Sequence, residues 1–127
     1  MLSNDCTLSG ASGSWIVSVN SPVGHCADAA SMTSSPMIVT GRPSGDGGGK
    51  VSVTAVQAID GSTAGTSVTF NGFGRITNSD AIGRIDVTGS TAGASYRALR
   101  IVVSPSGSVR MCDPAVVDSD AKDPRKC

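Results

Sequence analysis

The chain has 127 residues, the size of one domain, and its ten lysines and arginines balance ten acidic residues, all of them aspartate. Bulk charge therefore gives no reason to read the whole chain as a polyanion binder, and no apolar run approaches the roughly eighteen residues of a membrane-spanning helix. Only four residues are aromatic while sixteen are glycine, a composition of short strands joined by many turns.

No segment sustains a 3.6-residue period, and alternating apolar residues mark strand candidates from end to end. The first, WIVSV at 15–19, puts Trp15, Val17 and Val19 on one face, and Trp15 is expected to anchor the core. MIV at 37–39 is a short candidate, and KVSVTAVQAI at 50–59 places Val51, Val53, Ala55 and Ile59 together. TSVTF at 66–70 follows, with Phe70 expected in the core, and then RIDVT at 84–88. The clearest pair closes the series: YRALRIVVS at 96–104 and SVRMC at 108–112 flank Pro105-Ser106-Gly107. Proline presets that turn and glycine accepts positive φ, so the pair predicts a β-hairpin. The pentapeptide GSTAG occurs at 61–65 and again at 89–93, each time between strand candidates, and both copies read as turns of small residues.

Charge is uneven along the chain. Residues 1–64 carry four aspartates and two basic residues, whereas 75–110 carry five arginines and two aspartates. Arg75 is expected to pair with Asp80 or Asp86 as a structural ion pair.

Four cysteines, Cys6, Cys26, Cys112 and Cys127, are widely spaced with no C-x-x-C, which excludes zinc-ribbon and thioredoxin-like arrangements. The even number and near-terminal positions suit two local disulfides, Cys6–Cys26 and Cys112–Cys127, one of three possible connectivities. A terminal cysteine reads as closing a loop onto Cys112, which two Asp-Pro pairs already turn back on itself. Disulfides imply an oxidising compartment, yet MLSNDC has neither the basic start nor the apolar stretch of a signal peptide. The expectation is the exported part of something longer.

Catalytic readings fail one by one. GSTAG has threonine where a nucleophile elbow needs serine, and a strand follows it instead of a helix. The single histidine, His25, would have to serve any triad or metal site alone. SGDGGGKVS at 44–52 misses the phosphate-loop spacing at Ser44 and Val51 and runs into a strand. DSDAKD at 118–123 departs from the calcium-loop pattern at Lys122 and lacks its glycine, so a solvated loop is the reading. No enzyme, cofactor or metal is expected.

Four stretches, in order, carry a family resemblance: GSWIV at 13–17, VTFNGFGRIT at 68–77, LRIVVSPSGSVRMCDP at 99–114 and DPRKC at 123–127. Together they resemble the globular part of the GspH/FimT family, the minor pilins of bacterial type IV pili and the related pseudopilins of type II secretion. The resemblance implies two small antiparallel sheets that pack against an N-terminal apolar helix, so that a chain without that helix is mainly β as a single pilin-like domain. It implies a structural, non-catalytic part in assembling a pilus-like filament, with other pilins as partners and membrane contact only through the helix. Periplasmic or extracellular placement follows, with the full-length form in the inner membrane before assembly. It also implies an apolar strip on the sheet where the helix would lie. Some competence-related members bind DNA through Gly-Arg-x-Arg in the last hairpin; here those positions read Gly107, Ser108, Val109 and Arg110. A DNA-binding minor pilin is accordingly the alternative, with Arg110, Lys122, Arg125 and Lys126 as the candidate contacts. A disulfide-stapled β-domain of an adhesin or phage particle is a second alternative.

Overall fold

The structure, a computed structural model, describes residues 1–3, 5–43, 50–90, 96–116 and 123–127. Six strands form two antiparallel sheets, and no helix occurs among the described residues. The smaller sheet pairs β1 (Trp15–Ser18) with β2 (Ile38–Arg42). The larger is a meander in the order β3 (Val51–Gln57), β4 (Ile82–Gly89), β5 (Leu99–Val103) and β6 (Val109–Cys112). The mainly β character expected from the residues, and the two antiparallel sheets that the resemblance implies, are what the chain adopts.

Register explains how the larger sheet is sorted. Val53, Val87 and Leu99 lie opposite one another, and so do Ala55, Ile85, Ile101 and Met111 on the next rung of the same face. Val103 with Val109 extends this apolar face. The other face carries Thr54, Asp86, Arg100 and Cys112 on one rung and Val56, Arg84, Val102 and Arg110 on another, with Val56 and Cys112 buried. There Asp86 takes Arg100 Nε at 2.6 Å, and Arg84 Nε lies 2.9 Å from its second oxygen, within ion-pair reach but off the hydrogen-bond direction. Period-2 alternation thus separates an aliphatic side from a mixed one that carries the charges.

The outer edge of β3 is covered by loops. Ala55 N donates to Gly10 O at 2.6 Å and Ala55 O accepts from Gly65 N at 3.0 Å, while the N-terminal ammonium donates to Thr66 O. The first GSTAG copy makes this contact: Ala64 bridges Val56, and Asp60 accepts the Ser62 and Thr63 amides. Most of the second copy, and the glycine-rich loop at 44–49, lie outside the described residues.

The core is thin. Leu2, Ile38, Ala55, Val56, Ala81, Ile82, Val103 and Cys112 are its buried hydrophobic residues, and Leu2 is the largest side chain wholly out of solvent. Neither expected aromatic anchor joins them. Trp15 is 41% exposed and Phe70 is 50% exposed. Trp15, Val17 and Val19 do share a face, but it is the solvent side of β1, with Ile16 and Ser18 turned the other way. Nor is 66–70 a strand. Scattered contacts serve the segment there: the Asn78 side chain accepts Thr69 N, Thr77 N and Ile82 N donate to Thr69 O and Ser67 O, and Phe70 only bridges Ile76.

Candidate interaction surface

The closing hairpin leads into the region with the most specific side-chain arrangement. Ser104 N donates to Ser108 O and Gly107 N to Ser104 O, which closes the turn that Pro105 and Gly107 predict. β6 then delivers Cys112, which is bonded to Cys127; at the other end Cys6 is bonded to Cys26. Both pairings are those that the spacing suggests.

Backbone contacts also hold the C-terminal loop. Asp113 N donates to Arg125 O at 2.7 Å, which sets Asp113 and Lys126 in a short parallel bridge, and Lys126 N donates to Asp123 O. The Asp113 side chain is buried at the base. It accepts the Ala115 amide at 2.9 Å and the Arg97 guanidinium at 2.7 Å, and these two contacts, the amide first, lower its pKa. At the loop's end Arg125 grips Asp123 through Nε and Nη2, the latter at 2.6 Å. That guanidinium, followed by the Arg125 amide, brings the Asp123 pKa down to about 2, and Asp123 in turn raises that of Arg125.

The four candidate DNA contacts are therefore placed unequally. Arg110 is exposed, but its guanidinium donates to Lys126 O at 3.4 Å and Cys127 O at 3.0 Å, clasping the chain end. Arg125 is engaged with Asp123. Lys126 shares this loop, and Lys122 lies outside the described residues, as do Asp118 and Asp120 of the expected solvated loop. Disulfide and hairpin bring Arg110, Arg125 and Lys126 together, as the sequence suggests, yet Arg110 and Arg125 are already engaged within the loop.

Elsewhere, His25 Nδ1 lies 2.8 Å from Asp28, both side chains being about half exposed. Among the described residues no group of histidine, cysteine and aspartate is arranged to hold a metal. Arg75 forms no ion pair among the described residues; of its two expected partners, Asp80 accepts from Asn78 and Asp86 belongs to Arg84 and Arg100.

Two features escape the sequence reading. Phe73 projects almost entirely into solvent. Its setting, Asn71-Gly72-Phe73-Gly74, does contain the signal, because a tight turn between glycines cannot carry a side chain into a core. The second is a groove beside β2, lined by Ile16, Cys26–Asp28, Ala30, Ile38 and Val39 among others, with a volume of about 320 Å³. Nothing in the one-dimensional pattern marks it, because it forms where the 26–30 segment meets a strand. Compared with protein-family profiles, with curated proteins and with solved structures, the chain matches none.

Proposed function

We propose that this chain is the globular domain of a minor pilin or pseudopilin of the GspH/FimT kind, with a structural, non-catalytic role in building a pilus-like filament. The observation that carries the reading is the apolar face of the larger sheet. Its rungs are aliphatic from β3 to β6; Ala55 and Val103 on it are already buried, whereas Val51, Val109 and Met111 are 48%, 59% and 62% exposed. An apolar helix laid across the four strands would remove that face from water, at roughly 25 cal/mol for each Å² of apolar surface buried. The opposite face, which carries the charges, and the stapled C-terminal loop would then point outward toward other subunits. The exposed aliphatic residues support the reading, because the resemblance implies a helix packed on such a face.

Deleting the gene in its host tests this. Pilus-like surface filaments should be lost or much reduced, restored by the wild type, and not restored by Met111→Asp, which places a charge on the apolar face. Filaments unchanged in number by the deletion would rule the reading out.

A further inference from the structure

The sequence holds four asparagines, Asn4, Asn20, Asn71 and Asn78, and only Asn71 is followed by glycine. An asparagine Cγ and the next backbone nitrogen are spaced to close a five-membered ring, and glycine brings no side chain to crowd that closure.

The turn presents every group that such a closure uses. Asn71 Oδ1 accepts two amides, from Phe73 and from Arg75, both at 3.0 Å. Two N–H donors converging on one carbonyl oxygen make its carbon more electrophilic and stabilise the oxyanion of a tetrahedral intermediate. They also fix which atom of the side chain is oxygen, so the other is the Nδ2 amide. Nδ2 donates to nothing among the described residues, and neither does the Gly72 amide, so leaving group and nucleophile are both uncommitted. Asn71 and Gly72 are exposed, and nothing lies within 4 Å of the place a Gly72 Cβ would take. The frame around them is fixed, with Asn71 N donating to Arg75 O and Gly74 N to Asn71 O, both at 2.9 Å. Asn78 is the contrasting case. Serine follows it, it is half-buried, and its Nδ2 is held by Asp80 Oδ1 at 2.9 Å and Ser67 O at 3.4 Å.

We propose that Asn71 is a self-modifying site, at which the folded turn promotes its own conversion to aspartyl and isoaspartyl forms and so alters the seat of the closing hairpin. The Gly72 nitrogen gives its proton to water and bonds to Asn71 Cγ. The Cγ–Nδ2 bond then breaks, and Nδ2 takes a proton from water and leaves as ammonia. Water adds to one carbonyl of the cyclic imide, the carbon–nitrogen bond at that carbonyl breaks, and the nitrogen recovers a proton. In balance, water is consumed and ammonia released in equal amounts, with no oxidant or other reagent. Opening at Cγ gives the aspartyl form, and opening at the main-chain carbonyl gives the isoaspartyl form. The latter lengthens the main chain by one atom ahead of Gly74, whose carbonyl oxygen stands against Gly107. Both place a new carboxylate in the turn of Arg75, which forms no ion pair among the described residues. This stands apart from the pilin reading: it requires only the purified chain, and either can fail alone.

Incubation of the purified chain at neutral pH, followed by peptide mapping, tests it. The peptide holding Asn71 should gain the mass of an amide-to-acid exchange and split into aspartyl and isoaspartyl forms, while Asn20 and Asn78 stay amides. Conversion should run severalfold faster than in the chain unfolded in guanidinium chloride at the same pH, because unfolding removes the two donors. Gly72→Ala should slow it to the rate of Asn78 with circular dichroism unchanged, since the added Cβ meets nothing. Asn71→Asp supplies the aspartyl form directly, and the separated isoaspartyl form should melt below it. Conversion no faster in the folded chain than in the unfolded one overturns the proposal, a comparison that needs no variant. So does an Asn78 that converts as fast as Asn71, a folded Gly72→Ala chain that converts as fast as the wild type, or an isoaspartyl form that melts with Asn71→Asp.

Discussion

Gly107, at the tip of the closing hairpin, lies so near Gly74 that a Cβ built on it would stand 1.9 Å from the Gly74 carbonyl oxygen. Its φ of +87° is also one that residues with side chains rarely adopt. Hairpin and Phe73 turn are thus joined through a contact only glycine permits. Gly107→Ala should destabilise the domain by at least about 1–3 kcal/mol, the cost of the backbone conformation alone, with the steric displacement added. Gly74→Ala has φ +77° but open space around it, and should cost only the backbone part, about 1–3 kcal/mol, without the steric displacement. Urea denaturation of the two variants checks the order.

The two disulfides close loops with sequence separations of 20 and 15 residues. Chain entropy puts each at about 3 kcal/mol, a large share of the stability of a small domain. Replacing Cys112 and Cys127 by alanine together should lower stability by about that amount. It should also release Asp113 from its bridge to Lys126 and leave Arg110 without a fixed chain end to clasp. Non-reducing peptide mapping checks the pairing, and thermal melts with and without reductant check the magnitude.

Much of this was legible in the sequence, for local reasons. The hairpin is written in Pro105 and Gly107, and the disulfides in the positions of four cysteines. What was not legible depends on register and coverage. Alternation shows that Trp15 and Val17 share a face, but not that the face lies toward water. Proximity in sequence offers Arg75 either Asp80 or Asp86, yet cross-strand register sets Arg100 directly opposite Asp86. TSVTF alternates as a strand should, and only the folded chain shows that scattered contacts, the Asn78 side chain among them, serve it in place of a partner strand. The thin core follows from the same cause: the apolar face buries Ala55 and Val103 but leaves Val51, Val109 and Met111 open to water.

Acid should loosen the C-terminal loop in a defined window. Asp123 has an ordinary pKa of 3.8 that falls to about 2 in the folded chain, held there first by the Arg125 side chain and then by its amide. A depressed carboxylate pKa adds stability that is complete above the unfolded value and is lost as pH falls through the folded one. The contribution should therefore be constant at neutral pH, decline below about pH 4 and be gone near pH 2. Asp113 follows the same direction, through the Ala115 amide and Arg97. Melting temperature against pH should fall through that window, less steeply in Asp123→Asn. Asp60, brought to about 2 mainly by the Thr63 hydroxyl, acts at a separate turn, so Asp60→Asn should leave the Asp123 part of the slope in place.

DNA binding, if measured, should be weak and sensitive to salt. Phosphate contacts are sequence-independent and are lost steeply as salt rises. Here Arg110 is occupied by the carbonyls of Lys126 and Cys127, and Arg125 by Asp123, so a phosphate must compete with contacts already made. Ser108, where the competence-related motif has arginine, is exposed and shares its hydroxyl with Ser104 at 2.7 Å. A short duplex should bind detectably only at low salt and release before physiological ionic strength. Ser108→Arg should tighten binding severalfold and steepen the salt dependence by about one phosphate contact. Arg110→Ala should abolish what binding there is, and its melting curve separates lost charge from a loosened chain end. Fluorescence anisotropy across a salt series decides it, and tight wild-type binding at physiological salt would place DNA capture above the structural role.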